Sequence, residues 1–221
     1  MTTVVGPLVV DGRRHRPAVD DLFRATMLAG EPMPFFLHGL DRYTRFSLDW
    51  YFNSPSGRVF VAVDGTRVLG YALVATDPAA YARHIKRGLS VLAAHLTFDL
   101  VTGRIDTESR SFYRDRIRDS WRIWRDRRRI DVHDEPHVHM NVIAEARRGT
   151  VAAALIEVVD ATVRVAGHRS WIGEVNAEEG RRRRALDRVV GTVLDERPNL
   201  TASRLTKRTI VRYTVRRSLP A

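Results

Sequence analysis

The sequence predicts a single α/β domain, and three observations carry that prediction. Asp64-Gly65 lies between two runs rich in β-branched and aromatic residues, which is the signature of a tight β-hairpin. Residues 137–143 are predicted to form a strand that leads through a short turn containing arginine and glycine into a helix at about 150–166. The chain has 221 residues, enough for one large domain with a sizeable insertion.

The remaining elements follow from the spacing of apolar residues and from glycine and proline breaks. Before the hairpin, helices are predicted at 18–28 and 40–52; after it, residues 78–131 have a mainly helical pattern. Towards the C-terminus the pattern predicts a strand at 171–175, a helix capped near Asn176, and strands at 191–196 and 207–215 that flank a loop at 197–203.

The cysteine content and the charge narrow the classes of function. The chain contains no cysteine, which excludes disulfides, thiolate catalysis and cysteine-based metal sites. Its best membrane candidate, at 89–100, is too short to span a bilayer, so we expect a cytoplasmic protein with no membrane partner. The formal net charge of +11 favours a polyanionic partner such as nucleic acid, a phosphorylated cofactor or an acidic carrier protein, although solvated arginine faces give the same composition.

The turn between the predicted strand and helix has the features of a phosphate site. It contains Arg147, Arg148, Gly149 and Thr150, and the helix begins with Val151 and Ala152. Backbone N–H groups of such a turn converge with the positive end of the helix dipole, which is how many proteins hold phosphate groups. The sequence therefore predicts that this turn binds the phosphates of a cofactor or substrate.

Two histidines, His137 and His139, lie on one face of the predicted strand because side chains alternate with a period of two. Histidine has an unperturbed pKa of about 6.5, which suits proton transfer at neutral pH. A hydrogen-bonded structural role and a His-x-His metal site are the alternatives. We expect no metal, because the neighbouring His133, Asp134 and Glu135 lie in an irregular segment without recognisable ligand spacing.

Residues 108–129 combine many arginines with aromatic side chains. Such a pattern can stack on nucleic-acid bases, or it can form an amphipathic helix whose aromatic residues pack inward while the arginines reach solvent. The spacing favours the amphipathic helix, with four residues on one buried face: Tyr113, Ile117, Trp121 and Trp124.

Three motifs together resemble the GCN5-related N-acetyltransferase superfamily. The hairpin with Gly70 in Val-Leu-Gly-Tyr resembles the second and third strands of that family. Residues 142–152 resemble its acyl-CoA pyrophosphate loop, and residues 171–176 resemble its fifth strand, which ends in asparagine. The family loop reads Arg/Gln-x-x-Gly-x-Gly/Ala; Arg147 and Ala152 fit it, while Thr150 stands where glycine is usual.

The resemblance implies a fold and an activity. The fold is a mixed, mostly antiparallel central sheet flanked by helices, in one domain spanning 1–221, with residues 78–131 as a helical insertion between the third and fourth strands. The activity is that of an N-acyltransferase, most simply an N-acetyltransferase, which moves an acyl group from acetyl-CoA or another acyl-CoA to the primary amine of a small molecule by direct attack in a ternary complex.

The resemblance also implies functional residues. The residues that would bind the acyl-CoA are Asn141, Val142, Arg147, Arg148, Gly149, Thr150, Val151, Ala152 and Asn176. The backbone N–H of Val142 would polarise the thioester carbonyl. The His-x-His strand resembles that of the arylalkylamine N-acetyltransferases, where such histidines form the proton route, so His137 and His139 would be catalytic. Glu174 is a further acid–base candidate on the fifth strand.

Two features depart from the family pattern. Many members carry a tyrosine in the last helix that protonates the leaving thiolate, whereas residues 184–188 contain no tyrosine. The insertion at 78–131 lies outside the resemblance, and we expect it to shape the acceptor pocket together with the loop at 33–38.

Two other functions remain open at this point. The basic surface could dock an acidic acyl carrier protein as the acyl donor, which keeps the chemistry and changes the partner. Alternatively, the arginine–aromatic helix could make the chain a nucleic-acid-binding or regulatory protein on an acyltransferase scaffold. A second copy of the chain, forming a homodimer, is a further candidate partner.

Overall fold

A seven-stranded mixed sheet forms the centre of the molecule, in a computed structural model that describes residues 7–126, 134–146, 149–180 and 182–220. The strands are β1 (Leu8–Asp11), β2 (Gly57–Asp64), β3 (Arg67–Ala75), β4 (His137–Val142), β5 (Ser170–Glu178), β6 (Thr192–Pro198) and β7 (Ile210–Ser218), in the spatial order β1-β2-β3-β4-β5-β7-β6. Neighbouring strands are antiparallel except β4 and β5, which are parallel. The predicted mixed, mostly antiparallel sheet is confirmed.

Helices cover both faces of the sheet. They are α1 (Arg16–Thr26), α2 (Leu40–Asn53), α3 (Pro78–Val101), α4 (Thr107–Asp126), α5 (Thr150–Val165), α6 (Arg182–Val189) and α7 (Leu200–Thr206). Helices α1 and α2 pack through Phe23 and Tyr51 onto Tyr71 of β3, while α5 packs on the opposite face through Leu155 against Val138 of β4. Because side chains of a strand alternate between faces, β1, β2 and β3 contribute to both cores.

The hairpin and the helical insertion lie where the sequence predicts them. Gly65 supplies the positive φ of 57° that the turn between β2 and β3 requires. Helices α3 and α4 form the insertion between the third and fourth strands, and residues 127–131 of the predicted segment lie outside the described residues.

The predicted buried face of α4 is wrong in part. Tyr113 and its neighbour Phe112 are buried against Leu37, but Ile117 is 67% exposed and Trp121 is 55% exposed. The fourth residue of the predicted face, Trp124, has a side chain outside the described set. The buried side of α4 carries polar side chains, because this helix is held to α2 and α7 by hydrogen bonds and ion pairs rather than by apolar packing alone.

Three other elements differ from the sequence predictions. β1 was not predicted, and it is a short edge strand paired with β2. Residues 197–203 were expected to form a loop, yet α7 begins at Leu200, because Asn199 caps its N-terminus by accepting a hydrogen bond from the N–H of Ala202 at 2.9 Å. Asn176 was expected to cap a helix; it lies inside β5, whose pairing with β7 continues to Glu178.

No helix in the described part of the chain is long and apolar enough to cross a membrane.

Candidate active site

A cleft opens between β4 and β5. In the described structure these strands pair only at His137 with Ile172 and at Val138 with Gly173, while β4 stays paired with β3 as far as Val142. A Cβ at position 173 would lie 3.3 Å from the carbonyl oxygen of Val138, so glycine allows the close approach of the strands at this point. Beyond it the two parallel strands pair with different neighbours and separate towards their C-terminal ends.

The N-terminus of α5 lies at the open end of this cleft, a few residues after β4. Gly149 takes the N-cap position with a φ of 100°, and Thr150 is the first, exposed residue of the helix. Among the described residues, no side chain caps this terminus, and its first turn carries no acidic residue. The first backbone N–H groups of a helix lack intrahelical partners, so this end presents donors and a positive dipole. Apart from its chain neighbours and the backbone of α5, no described atom lies within 4 Å of where a Cβ on Gly149 would be.

The other predicted residues of the turn are placed as follows. Val151 is buried in the core beneath α5, and Ala152 is half-buried in the same turn of helix. Arg147 and Arg148 lie outside the described residues. Gly70 of β3 lies close to β4 and α5. A Cβ there would lie 3.0 Å from the carbonyl oxygen of Asn141 and 3.2 Å from Leu155, so glycine allows these elements to pack closely.

His137 is held by a pair of tyrosines at the narrow end of the cleft. Its Nδ1 lies 2.9 Å from the hydroxyl of Tyr51, which in turn donates to the hydroxyl of Tyr81 at 2.8 Å. The rings of His137 and Tyr81 are stacked with centroids 5.0 Å apart. Burial raises the pKa of Tyr51 well above its usual value, so its hydroxyl remains protonated at neutral pH.

His139 belongs to a second, separate network on the same face of β4. Its Nε2 lies 3.1 Å from the hydroxyl of Tyr71 and 3.3 Å from Nδ2 of Asn141, and Asn141 donates to Tyr71 at 2.7 Å. Its ring packs 5.8 Å from that of Phe23. Burial, together with the nearby His137, lowers the pKa of His139 to about 4, so this ring is neutral at pH 7. Its Nε2 is already used by two polar partners.

Glu174 lies on β5, on the face of the sheet opposite α5. Side chains along β5 alternate between the two faces of the sheet. Trp171, three residues before Glu174, lies on the α5 face, where it donates to Asp160 of α5 at 2.8 Å. Glu174 forms an ion pair with Arg212 of β7, and about a third of its side chain (35%) is exposed. Burial acts to raise the pKa of Glu174, but Arg212 outweighs it and His137 adds to the same effect, so the pKa falls to about 2.

Asn176 lies on the same face as Glu174, two residues further along β5. Its Oδ1 accepts a hydrogen bond from Nδ2 of Asn199 at 2.8 Å. The side chain therefore joins β5 to the start of α7. Asn199 lies on the face of the sheet that α4 and α7 cover.

The loop at 33–38 packs against the insertion. Tyr113 of α4 donates to the carbonyl oxygen of His38 at 2.7 Å, and Nε2 of His38 lies 3.0 Å from Asp99 of α3. Arg42 also reaches Asp99, at 2.7 Å, and His38 and Arg42 together lower the pKa of that carboxyl.

Sequence reasoning missed the tyrosines and arginines of the site. Tyr51 lies in a predicted helix and Tyr71 in a predicted strand, and only the packing of α2 and β3 beside β4 brings them to His137 and His139. Arg116 and Arg212 come from elements far apart in sequence, so no local pattern could indicate them. Among the described residues no group of three His, Asp or Glu side chains could hold a metal ion.

Comparison with solved structures identifies the fold. An N-acetyltransferase from Staphylococcus aureus Mu50 has 10% sequence identity and a TM-score of 0.53, with 98% of this chain and 100% of that chain covered. A GCN5-related N-acetyltransferase from Kribbella flavida has 20% identity and a TM-score of 0.53, covering 97% and 98%. The protein yncA from Salmonella typhimurium, solved with its cofactor acetyl-CoA, has 10% identity and a TM-score of 0.53, covering 98% and 95%.

These likenesses show that the chain has the GCN5-related N-acetyltransferase fold. No family model and no curated protein sequence matches the chain.

Proposed function

We propose that this protein is an N-acyltransferase that moves an acyl group, most simply acetyl, from coenzyme A to the primary amine of a small molecule. One observation carries the proposal: the cleft between β4 and β5 has at its open end a helix N-terminus that no described side chain caps, and at its narrow end a hydrogen-bonded histidine. The proposed phosphate site and the proposed proton acceptor thus lie at the two ends of this cleft.

The described residues fit an acyl-CoA molecule. The α5 N-terminus, from Gly149 to Ala152, would hold the pyrophosphate, because it offers backbone donors and no described acidic residue in its first turn. The pantetheine would follow β4 past Val142 and Asn141 towards His137. Acyl-CoA supplies the activated thioester, and the protein's residues position the amine and remove its proton.

His137 is the proposed general base. A protonated amine cannot attack, so a proton must leave its ammonium group first. When Nδ1 of His137 carries the proton and donates to Tyr51, Nε2 carries the lone pair that accepts a proton. Glu174 interacts electrostatically with His137, and its negative charge stabilises the imidazolium that forms.

The reaction balances without a covalent enzyme intermediate. One ammonium proton passes to His137 and then to solvent, and the neutral nitrogen forms a bond to the thioester carbonyl carbon. The carbon–sulfur bond breaks, and the second proton lost by the nitrogen ends on the departing thiolate. The products are an amide, free coenzyme A and one proton in solution.

The two histidines have different proposed roles. His139 has a pKa of about 4 and its Nε2 faces both Tyr71 and Asn141, so it is poorly suited to accept a proton from an ammonium group. We assign His139 a positioning role. Through its contacts with Asn141 and with Phe23 of α1, it holds β4 against α1.

The test follows the release of free thiol when the purified protein is mixed with acetyl-CoA or longer acyl-CoAs and a panel of primary amines. We expect saturable, amine-dependent release, lowered about a hundredfold or more in His137→Gln. The matched control is His95→Gln, an exposed histidine on α3, which should behave like the wild type. An unchanged rate in His137→Gln would remove the base assignment. Release only with an acyl carrier protein as donor would select the carrier-dependent alternative.

A further inference from the structure

A cavity of about 320 Å³ lies between α4 and the edge formed by β6 and β7. Most of its charged lining is basic and comes from residues scattered over three elements: Arg116, Asp119, Arg122, Arg125, Arg197 and Arg212. The volume falls in the range of sites for small molecules. The insertion thus provides one wall of this cavity and the C-terminal strands provide the other.

The cavity adjoins the proposed reaction centre. Arg212 lines it and forms an ion pair with Glu174. Arg116 lines it and interacts electrostatically with Glu174, whose charge also acts on His137. Because His137 pairs with Ile172, it lies on the same face of the sheet as Glu174, and the cavity opens on that face, opposite α5.

The carboxylates near the cavity are already engaged. Asp119 accepts hydrogen bonds from the backbone N–H of Leu200 at 3.2 Å and from the N–H and hydroxyl of Thr201 at 3.0 and 2.7 Å. Glu174 pairs with Arg212, and Asp195 pairs with Arg197. Among the described residues that line the cavity, five arginines stand beside one carboxylate, Asp119, which already accepts three hydrogen bonds.

Several of these guanidinium groups are held in place by neighbouring groups. Arg116 donates to the hydroxyl of Tyr43 at 3.0 Å, and Arg197 donates to the backbone carbonyl oxygen of Arg122 at 3.3 Å. Arg125 lies over the ring of Trp121 at 5.0 Å. Clustered like charges repel one another, and a planar guanidinium matches the oxygens of a carboxylate or phosphate. A bound anion would relieve the repulsion.

We propose that this cavity binds a carboxylate or phosphate group of the acceptor, so that the substrate is an amine that carries a second, anionic group. The inference rests on the proposed acyltransferase function and narrows its substrate class. The anion anchors the acceptor between α4 and the C-terminal strands, and the amine extends towards His137.

The first test measures anion binding without any acyl transfer. Inorganic phosphate and succinate are titrated into the wild type and into Arg122→Gln. Arg122 is exposed, and only its backbone oxygen takes part in the hydrogen bond from Arg197, so the substitution leaves that bond in place. The matched control is Arg110→Gln, an exposed arginine of α4 about 18 Å away along the helix axis.

We expect at least one of the two anions to bind, with affinity about tenfold lower in Arg122→Gln and unchanged in Arg110→Gln. Tighter binding of phosphate would indicate an acceptor with a phosphate group, and tighter binding of succinate would indicate an acceptor with a carboxylate. No binding of either anion to the wild type, or equal loss in both variants, would overturn the proposal.

The second test compares acceptors that differ only in the anion: ethanolamine with O-phosphoethanolamine, and propylamine with 3-aminopropanoate. We expect the anionic member of a pair to be acylated with the higher kcat/KM. Arg122→Gln should raise the KM for that acceptor about tenfold and leave kcat and the KM for acetyl-CoA nearly unchanged. Equal use of charged and neutral members would contradict the cavity assignment, as would a change confined to acetyl-CoA.

The two proposals fail in distinguishable ways. If anions bind in the cavity and no acyl-CoA binds or reacts, the anion site stands and the acyltransferase function falls. If acetyl-CoA is consumed with neutral amines and neither anion binds, the function stands and the anionic acceptor is wrong.

Discussion

The hydroxyl of Tyr51 lies 2.9 Å from Nδ1 of His137 and 2.8 Å from the hydroxyl of Tyr81. The Tyr51 hydroxyl has a single hydrogen, which it donates to Tyr81, so its oxygen is left to accept from His137. This arrangement favours the neutral tautomer of His137 in which Nδ1 carries the proton. It therefore links a buried tyrosine of α2 to the chemistry proposed at β4.

Tyr51→Phe should lower kcat/KM about tenfold and shift the acidic limb of the pH profile of kcat/KM. The reason is that His137 loses the hydroxyl that selects the tautomer of its ring. Tyr71→Phe is the matched control: it removes a buried hydroxyl beside the other histidine. Each variant should lose about 1–3 kcal/mol of unfolding free energy, since a buried polar partner is left unpaired. A pH profile that moves in Tyr71→Phe and not in Tyr51→Phe would contradict the assignment.

His139, half-buried and neutral at pH 7, makes stability depend on pH. Its pKa in the folded state, about 4, lies below the ordinary value of 6.5, so between these values the unfolded chain binds a proton that the folded chain does not. The contribution is complete above pH 6.5 and is lost as the pH falls towards 4, by up to about 3 kcal/mol.

Denaturant unfolding of the wild type and of His139→Gln between pH 7 and pH 4 checks this dependence. The difference in unfolding free energy between the two proteins should shrink as the pH falls, while His95→Gln should follow the wild type throughout. A difference that stays constant over this range would show that His139 is not held neutral.

Asp119 joins the insertion to α7 and also faces the arginine cavity. Asp119→Asn should lower the unfolding free energy by about 2 kcal/mol, because the side chain is buried (6% exposed) and one acceptor oxygen is lost from the start of α7. The same change should tighten phosphate binding by removing a negative charge from the cavity. Asp41→Asn, at a carboxylate whose side chain is 75% exposed, should change stability by less than about 0.5 kcal/mol. Weaker phosphate binding in Asp119→Asn would argue against the cavity as the anion site.

Local patterns were sufficient for much of the fold. The Asp64-Gly65 turn, the strand–turn–helix unit and the helical insertion are all set by residues close together in sequence, so spacing and turn chemistry indicate them. The same patterns indicated the turn before α5, where Gly149 takes the N-cap position.

Contacts between distant segments account for what the sequence left out. Helix α7 has seven residues, and its N-terminus is bonded to Asp119, about eighty positions earlier in the chain. The exposed Ile117 and Trp121 have helical spacing, but α4 is anchored through Asp115 and Asp119, so apolar spacing predicts the wrong face. The tyrosine networks depend in the same way on which strand lies beside which.

The most direct test of the central claim is a titration of acetyl-CoA into the wild type and into Thr150→Asp. Thr150 is exposed at the first position of α5. An acidic side chain there stabilises the helix through its dipole but repels a bound pyrophosphate. Thr107→Asp, at the exposed first position of α4, is the matched control. We expect saturable binding to the wild type and to Thr107→Asp, and a Kd raised about tenfold or more in Thr150→Asp with its Tm unchanged or higher. Absence of saturable binding to the wild type, or equal affinity in all three proteins, would contradict the account.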